Sequence, residues 1–166
     1  MAFYPNSSKL GVDLNNSSST QVFALGTTIR GTDGSIWQYV CASTTVSAYS
    51  VVVVNSSGTM HMAVLGDVDA GGGAQIAVAQ NTFAPSEYGF VPIHGGAAGT
   101  TFNVKVSGSA TLGAVLYMAT SSGNVAITAA SSATLKGIVL ATASAWSGVT
   151  TKPCILTWPK VNTLGA

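Results

Sequence analysis

Thr101-Phe102-Asn103-Val104-Lys105-Val106-Ser107 alternates without a break, with Phe102, Val104 and Val106 on one face and Asn103 and Lys105 on the other. A period of two is the signature of a half-buried β-strand. Thr59-Met60-His61-Met62-Ala63-Val64 repeats it, placing Met60, Met62 and Val64 inward and His61 outward, toward solvent or an interface. Working outward, the same reading predicts strands over 35–42, 49–54, 74–80, 88–94, 114–119, 124–128, 137–142 and 153–158. They are short and separated by Ser-Gly, Asp-Gly and Gly-rich turns, the pattern of an all-β sandwich or barrel. Thr32-Asp33-Gly34-Ser35 and Asn55-Ser56-Ser57-Gly58 are the clearest hairpin turns. Residues 129–135 alone admit a helical turn, which their Ser and Thr content would keep to one or two turns.

The expected fold is therefore all-β: a small β-barrel or β-tulip/sandwich of short antiparallel strands, preceded by an extended N-terminal arm. Residues 1–20 form that arm, because 15–20 read Asn-Asn-Ser-Ser-Ser-Thr, with no periodicity and nothing to bury. Phe3, Tyr4 and Leu10 are its apolar anchors and the interface candidates, an arm of this kind becoming ordered where it lies on a neighbour. Residues 21–166 form a single β domain, with two candidate pseudo-repeats at about 35–94 and 101–158. Val54-Asn55-Ser56-Ser57-Gly58-Thr59-Met60 is echoed by Ala119-Thr120-Ser121-Ser122-Gly123-Asn124-Val125, and Ile76-Ala77-Val78-Ala79 by Gly137-Ile138-Val139-Leu140.

Composition narrows the function. Of 166 residues only eleven are charged, six Lys+Arg and five Asp+Glu, with a formal net charge of +1. That balance gives no electrostatic footprint for nucleic acid or an anionic membrane. The longest apolar runs, such as Val51-Val52-Val53-Val54, fall far short of the ~20 residues that span a bilayer as a helix. A mean hydropathy of +0.44 with 47% hydrophobic residues argues against disorder. The polar surface must come from hydroxyls and amides, since Ser and Thr supply 39 residues, and such a surface suits a protein held against other proteins. The N-terminus lacks the basic start and apolar stretch of a secretory signal. Cys41 and Cys154 are too few for a disulfide framework and read as reduced core residues.

Catalytic groups are scarce. His61 and His94 are the only histidines and Glu87 the only glutamate; no Gly-x-Ser-x-Gly elbow gives either histidine a nucleophile. Asp67-Val68-Asp69 places carboxylates at alternate positions, as calcium loops do, but no further carboxylate follows, so it reads as a solvated turn before Gly71-Gly72-Gly73. Gly95-Gly96-Ala97-Ala98-Gly99-Thr100 lacks the Gly-Lys-Ser/Thr ending of a phosphate loop and leads into a strand. The expectation is a non-enzyme with no cofactor and no metal. Trp37 and Tyr39 share a strand face, and with Tyr88, Phe90, Trp146 and Trp158 they read as core or subunit-contact residues before sugar-stacking ones.

Gly34-Ser35-Ile36-Trp37-Gln38-Tyr39-Val40, Ala48-Tyr49-Ser50-Val51-Val52, Ala77-Val78-Ala79-Gln80 and Tyr88-Gly89-Phe90-Val91-Pro92-Ile93 resemble sequences of tailed-bacteriophage structural proteins. Leu112-Gly113-Ala114-Val115-Leu116-Tyr117-Met118, Ser122-Gly123-Asn124-Val125 and Lys136-Gly137-Ile138-Val139-Leu140 are similar to phage capsid decoration, or cement, proteins. The likeness covers about residues 34–142 and lies in small residues on a β plan. It implies a small β-barrel or tulip-like fold, a homo-oligomer with a trimer favoured, and the major capsid protein as partner. It further implies a protein made in the host cytoplasm and placed on the capsid exterior of the virion, with no catalytic residue to carry over. The long Ser/Asn-rich arm and the Pro/Trp-containing tail depart from that pattern. The alternative from the residues themselves is a receptor- or glycan-binding β module on a virion surface.

Overall fold

The computed structural model describes residues 12–64, 67, 75–96, 100–108, 112–114, 116–119, 123–126, 133–142 and 148–163. Among these residues twelve strands are present: β1 (Ser17–Ser18), β2 (Thr28–Arg30), β3 (Ile36–Ala42), β4 (Val51–Val54), β5 (Thr59–Met62), β6 (Gln75–Val78), β7 (Tyr88–His94), β8 (Phe102–Ser107), β9 (Leu116–Met118), β10 (Val125–Ala126), β11 (Ala133–Leu140) and β12 (Val149–Thr163). They form one mixed sheet that folds on itself without becoming a regular barrel, in the order β1-β7-β3-β5-β4-β6-β12-β11-β9-β10-β8. The all-β class is as the alternation predicts, but the sheet is not purely antiparallel. β3–β5 and β8–β10 are parallel pairs, because each hairpin, β4–β5 and β9–β10, folds its second strand back beside the strand that precedes the hairpin.

A five-strand pattern occurs twice. β7-β3-β5-β4-β6 in the first unit has its counterpart in β12-β8-β10-β9-β11 in the second. The second set of pairings returns to its start, since β12 pairs with β8 through residues 149–154 and with β11 through 154–163. The first does not: among the described residues no ladder joins β6 to β7, and β12 lies across the opening, with Lys160 opposite Gln75 and Thr157 opposite His94.

Two hydrophobic clusters hold this arrangement. One belongs to the first unit and its loops, with Val40, Ala42, Val46, Val52, Val54, Met60, Ala77, Ala79, Phe83, Val91 and Ile93. The other joins the opposite faces of first-unit strands (Trp37, Tyr39, Val51, Val53, Ile76, Val78, Phe90) to the inner face of the second (Phe102, Val104, Val106, Leu116, Met118, Leu140, Leu156). Successive side chains on a strand point to opposite faces, so the all-buried Val51–Val54 run is a strand covered on both sides.

Both expected hairpin turns form. The Gly31 N–H donates to the Ser35 carbonyl at 2.8 Å, and Asp33 Oδ1 accepts from the Ser35 amide and hydroxyl at 2.9 and 2.6 Å. In the second, the Asn55 N–H donates to the Thr59 carbonyl at 3.0 Å.

Several expectations are corrected. Residues 133–135 open β11 instead of forming a helical turn, because pairing Leu135 with Leu116 and Val161 completes the sheet; 129–132 lie outside the described residues. β5 ends at Met62, so Val64 is exposed and Met62 half-buried. Within the predicted arm, residues 12–20 lie on the body: Leu14 is 3% exposed, and Ser17 and Ser18 pair with Gly89 and Tyr88. A polar strand needs no apolar face when it adds to an existing edge through its backbone. Both cysteines are free; Cys154 is buried as expected, but Cys41 is only half-buried.

Candidate binding groove at the open seam

Where β6 and β7 fail to pair, a groove of about 530 Å³ opens, lined by Thr28, Ile29, Arg30, Ile36, Gln38, Gln75, Ile93 and Trp158. Its walls follow from register. Thr28 stands opposite Gln38 and Arg30 opposite Ile36, so directly paired side chains share the face that looks into the opening. Its floor is apolar, from Ile36 and Ile93 at the end of the first unit's cluster.

Trp158 forms the rim and is 54% exposed. It is also conformationally unusual, with φ of 52° immediately before Pro159. Bulky residues rarely occupy the left-handed region, and a following proline favours an extended backbone instead. The cause lies across the ladder: Lys136 pairs with Lys160 and Ile138 with Leu156, so Gly137 alone opposes residues 157–159. This bulge turns the indole out of the ladder, onto the His94 ring, with centroids 5.0 Å apart and planes at 54°. Only glycine fits at 137, where φ is +82° and a Cβ would stand 2.5 Å from the Thr157 carbonyl oxygen.

Two polar atoms here lack partners. Gln38 Oε1 and His94 Nδ1 are both buried with no hydrogen-bond partner. A buried acceptor left unmade costs about 1–3 kcal/mol. Among the described residues no carboxylate lines the groove and Arg30 is the one cation of its lining. Lys160 stands directly opposite Gln75, which places it on the same face. Charge is divided along the chain: residues 36–94 contain no Lys or Arg, residues 102–163 contain four Lys, and no acid follows Glu87.

The other singled-out residues are engaged locally. His61 Nε2 and Asp67 Oδ1 are 2.9 Å apart, and Asp67 Oδ2 accepts the Val64 N–H at 2.7 Å, so Asp67 closes its own turn. Glu87 Oε2 accepts the Ala84 N–H and the Ser17 hydroxyl at 2.7 and 2.9 Å. Among the described residues no group of three or more His, Cys, Asp or Glu could hold a metal ion. Trp37 and Tyr39 are core residues: the Trp37 ring packs edge-on to Phe102 at 5.5 Å, and the Trp37 indole N–H donates to the Ser35 hydroxyl at 2.9 Å.

A second, smaller cavity of about 160 Å³ lies under residues 12–18, against Phe23, Tyr39, Tyr88 and Phe90. The charge of Cys41, with burial a smaller cause, raises the Tyr88 phenol above its usual pKa. The interface candidates Phe3, Tyr4 and Leu10, together with Trp146, Asp69 and residues 97–99, lie outside the described residues.

Alternation along residues 153–158 could not single out Trp158, because the bulge breaks the period. The signal available was Trp-Pro itself, an aromatic before a proline at the end of a strand pattern. Comparison with known proteins finds no family model and no curated protein that matches the chain.

Proposed function

We propose that this protein is a structural component of a tailed-phage virion that decorates the outside of the capsid and stabilises it by binding between major capsid protein subunits. The observation that supports this best is the surface. In a chain with only eleven charged residues, large apolar side chains stand exposed, Val22 at 66%, Leu112 at 63%, Val149 at 55% and Trp158 at 54%. Exposed apolar area with little charge to repel a like surface favours protein contact. Binding the assembled shell in preference to free subunits stabilises the shell by that difference in free energy. A homotrimer bound between major capsid protein subunits is the assembly favoured, with Phe3, Tyr4 and Leu10 as the proposed apolar anchors.

Mixing the purified chain with empty capsids of its own phage and counting bound copies by particle mass tests the reading. Saturable binding that raises the temperature of shell disruption is expected, and shells that bind no copies would overturn it. Because Leu14 and β1 belong to the body, the informative truncation removes residues 1–11: occupancy should fall while the melting temperature of the free chain holds. Undiminished occupancy would remove the arm from the mechanism.

A second reading, a glycan-binding module on the virion surface, is favoured by one observation, the exposed Trp158 at the rim of a groove that holds two amides.

A further inference from the structure

We infer that the Trp158 groove is a binding site for an acidic saccharide, a sugar whose ring packs on the indole and whose carboxylate is taken by Arg30 and Lys160. The inference rests on the glycan-binding reading and is independent of capsid attachment.

Three features point to this ligand. First, Trp158 presents its ring to solvent from a left-handed backbone, with φ of 52° before a proline. Such strain clusters at functional sites, and here it holds out an aromatic that the fold would bury more easily elsewhere. A saccharide's C–H face packs on an aromatic plane, while its hydroxyls need donors and acceptors at the edges.

Second, those edges carry Gln38, Gln75 and Thr28. Gln38 Oε1 is buried and unpartnered, an acceptor that a ligand hydroxyl would satisfy once the Gln38 amide turns into the groove.

Third, the charge beside the groove has one sign among the described residues. Arg30 lines it, and Lys160 stands directly opposite the lining residue Gln75, so the two cations flank the opening with no carboxylate to pair them. A neutral sugar would leave the cations unused, and a purely apolar partner would leave Gln38 unpaired.

The test titrates the full chain with trigalacturonate and with sialyllactose, which separate uronate from sialic acid as the source of the carboxylate. The methyl ester of the first and unsialylated lactose serve as neutral counterparts, and tryptophan fluorescence gives the readout. At least one acid should bind and bind about tenfold more tightly than its neutral counterpart, the effect of one charge-assisted contact. Arg30→Gln should erase that difference, and Trp158→Gly should abolish binding. Trp158→Gly should also keep or raise the melting temperature, since glycine accepts the left-handed backbone; a large fall would show the indole to be structural. Equal binding of acids and neutral counterparts would overturn the inference and leave glycan binding standing. Binding of no saccharide would overturn both, with capsid attachment unaffected.

Discussion

In the first unit β4 buries all four of its valines and β7 buries every residue from Gly89 to Ile93. In the second, β8 buries Phe102, Val104 and Val106 and leaves Asn103 exposed. The strand order is the same, so order alone does not decide how much apolar surface a strand needs. What differs is the covering. First-unit strands have the Phe83 cluster on one side and the second unit on the other, whereas second-unit strands have solvent on their outer side. The lysines follow this division: all four within 102–163 lie on second-unit strands.

Substitutions on neighbouring positions break or sharpen that contrast, and they carry the largest expected effect. Val52→Ala and Val53→Ala face opposite clusters, and each should cost about 2 kcal/mol, near the value for burying a valine side chain. In β8 the same experiment should split, with Val104→Ala again costing about 2 kcal/mol and Asn103→Ala within about 0.5 kcal/mol of wild type. Urea denaturation of the four variants decides it. If Val52→Ala and Val53→Ala differ as widely as the β8 pair, the first unit is not covered on both sides.

This division also explains which elements could be read from the chain. One-sided strands announce themselves, so 101–107 is legible as a strand with a known inner face. The Val51–Val54 run shows a strand but not its second cover, which comes from second-unit residues far along the chain, from Phe102 to Leu156. β1 and β2 were invisible, because Ser17-Ser18 and Thr28-Ile29-Arg30 carry no period long enough to detect; backbone pairing with β7 and β3 makes them strands. The groove was hidden for a third reason. It exists only because β6 and β7 stay apart, a fact of closure that no local pattern encodes.

Closure is the second point of contrast. β12 completes the second unit's ring of pairings and bridges the first unit's gap in one strand, and the bulge opposite Gly137 lets it do both. Gly137→Ala places a Cβ against the Thr157 carbonyl and strains a positive φ. It should therefore cost about 1–3 kcal/mol and, by shifting residues 157–159, change the fluorescence of Trp158. Gly113→Ala is the control, since its φ is also positive but no atom lies within 4 Å of the added Cβ. Equal effects from the two would mean that backbone strain alone, and not the crowded bulge, sets the requirement for glycine.

The smallest effect concerns the two cysteines, one in each unit. Cys41 is half-buried on β3 beside Tyr88, whereas Cys154 lies at the junction of β8, β11 and β12 and burial pushes its thiol from 9.0 up to about 12. The thiolate is the reactive form, so a thiol reagent should modify Cys41 in the native protein and Cys154 only on unfolding. The sign of the pH effect follows from the raised value. Below pH 9 the thiol is neutral in both folded and unfolded chains, and its contribution to stability is fully present. Between pH 9 and about 12 the unfolded chain ionises first, and that contribution is lost. At neutral pH, Cys154→Ala should lower the urea midpoint through lost packing, and the gap to wild type should narrow as pH rises above 9. A gap that stays constant through that range would mean that Cys154 ionises as freely in the folded chain as in the unfolded one, and that the junction closing the second unit admits water.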